Sequence, residues 1–500
     1  MVNSTGIGLS SATPDLQAIV AVLGPILQKL CDHVGTFRRQ SPTPALTCAF
    51  ENETAAILRE AGRLLVENEY NSIEPQQLQD CPLRLKLENE EYRRRPKSPN
   101  RIGTLFGEIT LRRYLYEAVE PGQRALFPLE MQLGIEAGLA TPALAERVGL
   151  WSAEHEQEPV RRLLLQEHGV YWSVTSLRKV AMSLRDGLAS FREETQVAKV
   201  LELLDLADQS RGRHRPVLAA GRDGIHVPIR DDGYHEGATA TVSVLDRRGR
   251  RLGTVYLGQM PEAGQGTLSA QLTSLLTQVL SAWHQRGKAA PRLAYVSDAG
   301  SHPKEYYLQM LRHLADPWRP GQKLSWQWIV DFWHGCGYVH DLAESLFGDS
   351  ARCRVWFRKW RHWLRDRRQG LSQVLRSAMW HYNNGRQLSK AKEEGFWTAY
   401  RYLRKHGVWM KYAFYKSQGL PIGSGVTEAA CKTVFAERLK RSGMTWGIEG
   451  GQVIVDLRVL VLSGVWPAAY QAYLASRPLP TPLKSASKGL ASAKNLKKAA

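Results

Sequence analysis

From residue 216 to about 350 the chain changes from helical to stranded texture. The order of elements there restricts the possible folds more than any other feature. Pro216 to Ile229 reads as one strand. Ala238 to Leu245 and Leu252 to Gln259 are two more, joined by the turn Arg247-Arg-Gly-Arg250. A helix follows at about 267 to 287, then a strand at Arg292 to Ser297 and a helix near 303 to 315. A last strand at Trp326 to Val330 feeds a helix from about 335. Three meandering strands followed by two βα crossovers predict an α/β fold with a mixed sheet and helices on its faces.

The flanking regions read differently. Leu16, Ile19, Val20, Leu23, Ile26, Leu27 and Leu30 recur at helical spacing, so the segment from about 14 to 70 is expected to be helices that pack or dimerise. Thr104 to Tyr114 reads as a short strand pair broken at Gly107, and the basic run Arg93 to Lys97 before it could touch a DNA backbone. Residues 137 to 206 return to helix. Within them, Leu163 to Arg178 has helix-turn-helix character: Gly169 makes the turn, Ser173 caps, and Thr175 to Arg178 open the second helix. A plain helical hairpin fits the same pattern. The expected organisation is a helical region over 1–90 and a DNA-binding region over 91–215. A catalytic core follows over 216–350 and 417–470, interrupted by a helical insertion at 351–416, and 477–500 forms a flexible basic tail.

Charge narrows the partner. The 500 residues carry a formal net charge of +19, which points to a polyanion, since Lys and Arg beside phosphates release condensed counterions. Residues 351 to 416 hold 17 basic against 3 acidic residues, so +14 of that charge lies in the insertion together with six of the fifteen tryptophans. This suits a helical element with an aromatic core and a phosphate-facing surface, on which Arg358, Lys359, Arg361 and Arg365 are the expected contacts. A membrane is not expected, because no apolar run approaches 18 residues and the N-terminus lacks a charged segment followed by an apolar one. A cytoplasmic location follows from the same reading. The six cysteines are scattered without a Cys-x-x-Cys pair, against a zinc ribbon or disulfide framework.

Carboxylates at strand ends in so basic a chain are candidates for divalent-ion ligands, because such ions need hard oxygen donors. Asp223, in Arg222-Asp-Gly224, lies in the first strand; alternatively it is a turn residue before glycine. Asp298, in Val296-Ser-Asp-Ala-Gly300, ends the fourth strand, at the edge where open α/β sheets place ligands, or caps the next helix. Glu428 follows a Gly423-Ser-Gly loop at a helix start, where a first-turn acid is favoured by the macrodipole in any case. They stand 75 and 130 residues apart, the second gap containing the basic insertion.

In these motifs, with Asp331-Phe-Trp-His334, Gly423-Ser-Gly-Val-Thr-Glu-Ala-Ala-Cys-Lys432 and Arg438-Leu-Lys-Arg-Ser-Gly-Met-Thr-Trp446, residues 216 to 470 resemble the Mutator-like bacterial insertion-sequence transposases of the Asp-Asp-Glu class, closest to the Kra-type group. The resemblance implies a ribonuclease-H-like core with a helical insertion. It also implies Asp223, Asp298 and Glu428 as catalytic ligands of two Mg²⁺ ions, with Mn²⁺ able to substitute. Asp331 and His334 would be accessory, although Asp331 also ends a strand and could replace Asp298. Lys432, Arg438, Lys440 and Arg441 join the expected DNA contacts. The implied activity is transposition: cutting the ends of an insertion sequence and joining them to double-stranded target DNA, by a homo-oligomer. The rivals are a nuclease on the same core that does not join strands, and a non-catalytic DNA-binding protein.

Overall fold

The computed structural model of the protein describes residues 16–483. The chain divides into two units. One comprises residues up to Trp151, Glu156–Leu184 and the segment from Tyr473; the other comprises Ser152–His155 and Arg185–Ala472.

In the first unit, α1 (Leu16–Arg38) packs on α2 (Pro44–Ile73), with the rings of His33 and Phe37 stacked on Phe50 at 4.7 and 4.1 Å. Thr43 caps α2 by accepting from Leu46 N (3.1 Å), and Pro44 fits the first helical turn, where its missing N–H costs nothing. No side chain of α1 is buried. An 18-residue window of this 23-residue helix reaches a mean hydropathy of 1.3, so by length and composition alone the helix could cross a membrane. The run itself is interrupted by Gln28, Lys29 and Asp32, as the sequence reading has it, and the helix qualifies on its mean alone.

The antiparallel strands β1 (Arg84–Leu87), β2 (Glu90–Thr104) and β3 (Gly107–Ala118) form a long hairpin with an extra strand, longer than the expected pair. Gly107 at φ +123° makes the tight turn. Residue 90 therefore opens a strand and is no domain boundary. Asn71 on α2 fixes the helix to β3 through Thr110 O (2.9 Å) and Arg112 N (2.7 Å). The segment expected to be a flexible tail is anchored at its start. Thr481–Pro482 pair with β1, and Arg477 and Tyr473 both bond the fully buried Glu136, at 2.7 and 2.8 Å. The rest of that tail, 484–500, lies outside the described residues.

Helices α3 (Pro128–Gln132), α4 (Pro142–Glu154), α5 (Gln157–His168) and α6 (Val174–Gln209) follow. Gly169 is left-handed (φ 65°) after α5, and Ser173 Oγ accepts from Ser176 N (3.1 Å) at the start of α6, as the sequence predicts. The second helix is 36 residues long, however, with Leu177, Val180 and Leu184 buried along one side. Burial rather than an exposed reading face explains the apolar pattern of its first turns.

The second unit is built on a five-stranded sheet. Its strands are β4 (Val217–Ile229), β5 (Gly233–Leu245), β6 (Arg251–Gln259), β7 (Arg292–Ser297) and β8 (Trp326–Val330), in the spatial order β6-β5-β4-β7-β8. The β4–β5–β6 meander is antiparallel, whereas β7 and β8 run parallel to β4 after the crossover helices α7 (Gly266–Gln285) and α8 (Ser301–Gln309). The predicted order of elements holds. The central strands read as continuous apolar runs because both faces are covered: Val217–Ala220 and Leu293–Val296 are all buried.

Beyond β8 come α9 (Phe332–Phe347) and the helices of the insertion, α10 (Ala351–Asp366), α11 (Gly370–Asn384), α12 (Lys390–His406) and α13 (Tyr412–Ser417). Trp356, Trp360 and Leu364 recur every fourth residue and are buried, as are Phe396, Ala399 and Leu403. The aromatic core expected of the insertion is therefore present. The chain then returns to the sheet through α14 (Gly425–Ala430), a π-helical turn at Cys431–Ala436, α15 (Glu437–Leu439), α16 (Ile448–Leu462) and α17 (Trp466–Ala475).

Candidate active site

Register decides where the acids fall. In the parallel pair β4–β7, Gly221 aligns with Val296, so the residues two further on, Asp223 and Asp298, reach the same level at the carboxyl edge. In β7–β8, Ser297 aligns with Val330, which brings the next residues, Asp298 and Asp331, level as well. Three adjacent parallel strands thus each deliver one aspartate to one edge, the edge at which ligands bind in open sheets.

Glu428 arrives from above. A Cβ at Gly221 would run into Thr427 Oγ1, so glycine there is what lets α14 lie directly on β4. Thr427 Oγ1 also bonds Thr241 Oγ1 of β5 at 3.0 Å, fixing α14 to both strands. Gly221 and Asp223 share a face of β4, so the helix carrying Glu428 covers the face from which Asp223 projects. Arg222 points to the other face, where it bonds Ser269 (2.7 Å) and Gln265 (2.9 Å) under Tyr306.

Asp223 is half-buried, and its pKa is pushed up to about 6. Burial is the main cause, with the negative charges of Asp298 and Glu428 adding to it against a bond from Gly224 N (2.9 Å). This mutual repulsion is the electrostatic sign of a shared space. Asp298 Oδ1 accepts from Gly300 N (2.8 Å), and its carbonyl is held by Tyr402 Oη of α12 (2.7 Å), so the insertion reaches the site. The turn after it is strained: Ala299 takes φ +63°, a conformation costly for a residue with a Cβ. Glu428 Oε1 accepts from Ser424 Oγ at 3.3 Å. Among the described residues none of the three carboxylates has an ion-pair partner, in a chain of net charge +19.

Asp331 does something else. It is fully buried, caps α9 through His334 N (2.6 Å), and its second oxygen accepts from Ser424 N, while Tyr412 Oη holds its carbonyl at 3.3 Å. Both carboxylate oxygens are thereby committed to backbone N–H groups, one of them in the loop that carries Glu428. Asp331 thus ties the start of α9 to the loop that carries Glu428. His334 is half-buried, edge-on to Tyr338 and Tyr402 at 5.3 and 5.6 Å, as a packed ring would be.

The oxygen donors fit a divalent ion chemically: three hard, unopposed carboxylates. Their ligand atoms do not all come within 4.8 Å of one another, so the set is more open than a cage closed around one ion. Among the described residues only His340, Asp341 and Glu344, exposed on α9, meet that spacing.

The expected DNA contacts divide. Arg358, Lys359, Lys432, Lys440 and Arg441 are exposed. Arg361 is half-buried, its guanidinium 5.5 Å from the Phe357 ring and 5.8 Å from the exposed Trp333. Arg365 is bound to Asp366 at 2.8 Å. Arg438 requires correction: it is 2% exposed, donates to Ser152 O (3.2 Å) and packs on Trp446, so it is a core residue and cannot meet DNA. Its place between Glu437 and Leu439 on a one-turn helix turns it inward with Leu439.

Sequence reasoning missed Cys431, Thr239 and Tyr402. Cys431 Sγ lies 3.1 Å from Thr239 Oγ1, beside Asp223, and burial together with that carboxylate's charge pushes the thiol up. The π-turn that begins at Cys431 had no local signal, although such turns gather at functional sites.

The chain matches no known protein-family model, and no curated protein matches it.

Proposed function

We propose that the protein is a metal-dependent DNA transposase of the Asp-Asp-Glu type, in which Asp223, Asp298 and Glu428 form the catalytic centre of a ribonuclease-H-like core. The observation that carries this reading is the convergence of three unpaired carboxylates at one sheet edge of a strongly basic chain. A structural role would give them ion-pair partners, and the chain has many to offer. The β6-β5-β4-β7-β8 order, with the meander on one side of β4 and the parallel strands on the other, supports the core assignment.

Asp223, Asp298 and Glu428 would hold Mg²⁺, which when bound supplies charge neutralisation at the scissile phosphate and activation of the attacking oxygen. The rest is done by the chain itself. Asp331 holds the Gly423–Ser424 turn and so sets the height of Glu428 over the sheet. Tyr402 and Gly300 fix the two ends of Asp298. Arg358 and Lys359 present positive charge for DNA backbones. A strand-transfer assay with candidate element ends and supercoiled target tests the proposal. Joined products abolished in Asp223→Asn, Asp298→Asn and Glu428→Gln support it. Cut but unjoined products would make the protein a nuclease, and binding without either product would remove the catalytic reading.

A further inference from the structure

A second feature of the same sheet lies at its opposite edge, where β7 and β8 begin. A cavity of 670 Å³ opens there, lined by Arg215, Arg292, Arg319, Trp318, Phe414 and Leu420 among others. Its volume falls in the range of small-molecule sites. Its charge is unbalanced in a particular way. Asp316, the only carboxylate in the lining, is 6% exposed and already bound to Arg319 at 2.8 Å, and it also caps Trp318 N at 2.9 Å. Arg292 and Arg215 have no such partner among the described residues.

Arg292 is held rigidly by two carbonyls: Nε donates to Arg215 O at 2.9 Å, and Nη1 to Gln418 O. Its Nη2 is buried without an acceptor among the described residues. A guanidinium fixed on two sides and left unsatisfied on the third is expensive unless an anion completes it. The exposed Arg215 makes no ion pair among the described residues, and burial together with the Arg215 charge lowers the Arg292 pKa. Two cations that repel each other across a concave surface are both relieved by one dianion.

The remaining walls are flat and apolar. Trp318 is held in place by its indole N–H on Lys288 O (2.8 Å), and Phe414 is 48% exposed although it lines a cavity. Rings of this kind offer a base a face on which to stack. A bare oxyanion would use the arginines and leave most of the volume empty.

We infer that this cavity binds a nucleoside 5′-phosphate, with the phosphate on Arg215 and Arg292 and the base against Trp318 and Phe414. The same chemistry is presented by a free nucleotide and by the 5′-phosphorylated end of a nucleic-acid strand. The site stands apart from the acidic edge and does not depend on the catalytic reading.

Equilibrium dialysis of the full chain against AMP, adenosine and inorganic phosphate tests it. AMP should bind at least about 10-fold tighter than either fragment, because each fragment fills half the site. Arg215→Ala, at an exposed position where folding is not at stake, should weaken AMP about 10-fold. Phe414→Ala should weaken AMP but leave phosphate unchanged. Arg292→Lys should weaken AMP as well, with circular dichroism confirming the fold. No AMP binding by the wild type, AMP no tighter than phosphate, or AMP binding unaffected by both Arg215→Ala and Phe414→Ala would each overturn the inference. A trinucleotide with a 5′-phosphate, compared with its 5′-hydroxyl form, separates the sources. A preference that disappears in Arg215→Ala assigns the site to strand ends, and AMP binding without that preference assigns it to free nucleotides.

Discussion

At the scale of single residues, Asp223 gives the sharpest expectation. Its folded pKa of about 6 lies above the ordinary value of 3.8, so between those pH values the native state holds a proton that the unfolded chain has released. Stability therefore falls as pH rises through that window, by a total on the order of 3 kcal/mol, and stays reduced above it. Asp223→Asn should remove this slope and make the metal-free protein more stable than wild type at pH 8, read by urea unfolding in EDTA. Added Mg²⁺ or Mn²⁺ should stabilise the wild type more than the variant; a wild type indifferent to both ions would argue against a metal role. A second comparison separates Asp298 from Asp331. Asp298→Asn should abolish cutting and joining with little loss of stability. In Asp331→Asn one backbone N–H faces an amide instead of a carboxylate, at a cost of about 1–3 kcal/mol and a 10–100-fold fall in activity. If Asp331→Asn were inactive yet as stable as wild type, Asp331 would be a ligand rather than a brace. Asp298 and Asp331 were legible from sequence because each ends an apolar run, and Asp223 because it is an acid inside a strand. What divides them, the commitment of both Asp331 oxygens to backbone N–H groups, depends on a loop 93 residues further on, and no local pattern encodes it.

Among the elements, α14 is placed by what is missing beneath it. Gly221→Ala should push Thr427 and α14 off β4, destabilise by about 1–3 kcal/mol and reduce activity. Adding Thr427→Ala should recover part of both, since it removes the nearest atom that the new methyl meets and leaves only the tight contacts with Thr241 Oγ1 and Val296 O, at 3.1 and 3.2 Å. Failure of the double variant to recover any activity would mean that Gly221 acts through something other than helix approach. The outer surface of α10 carries the next expectation. Arg358→Ala with Lys359→Ala should weaken DNA binding across sequences and lower the salt slope by about 0.9 for each phosphate that is no longer neutralised. Arg361→Ala and Arg365→Ala should contribute less, because both side chains are half-buried and Asp366 already neutralises Arg365, whereas Arg358 and Lys359 are exposed. An equal effect from both pairs in salt titrations would refute that division. The strands of the second unit were readable to within a few residues because apolar runs bounded by Gly, Asp and Ser mark buried strands. Arg438 was misread because a basic motif gives no indication of which of its members turns inward.

For the whole molecule, the notable fact is that the first unit is assembled from both ends of the described chain. Glu136 is wholly buried, and its partners Tyr473, Arg477 and Ser183 lie far from it in sequence. Arg477→Ala should leave that carboxylate without its cation and cost about 3–5 kcal/mol, seen as early melting of the first unit while the second is unaffected. Uniform melting of both would contradict two separable units. The sequence pointed to a mobile tail here because Pro478 and Pro480 suggest one; the long-range anchor at Arg477 left no local sign. This arrangement has a consequence for synthesis. A chain emerging from the ribosome makes the helices and hairpin of the first unit early, then all of the second, and only afterwards the segment that closes the first. The second unit is thus complete while the earlier one still waits for its final strand, with Glu136 held by Ser183 but lacking Tyr473 and Arg477. The order of maturation is the reverse of the order of translation, and prematurely terminated chains would expose the first unit to proteolysis.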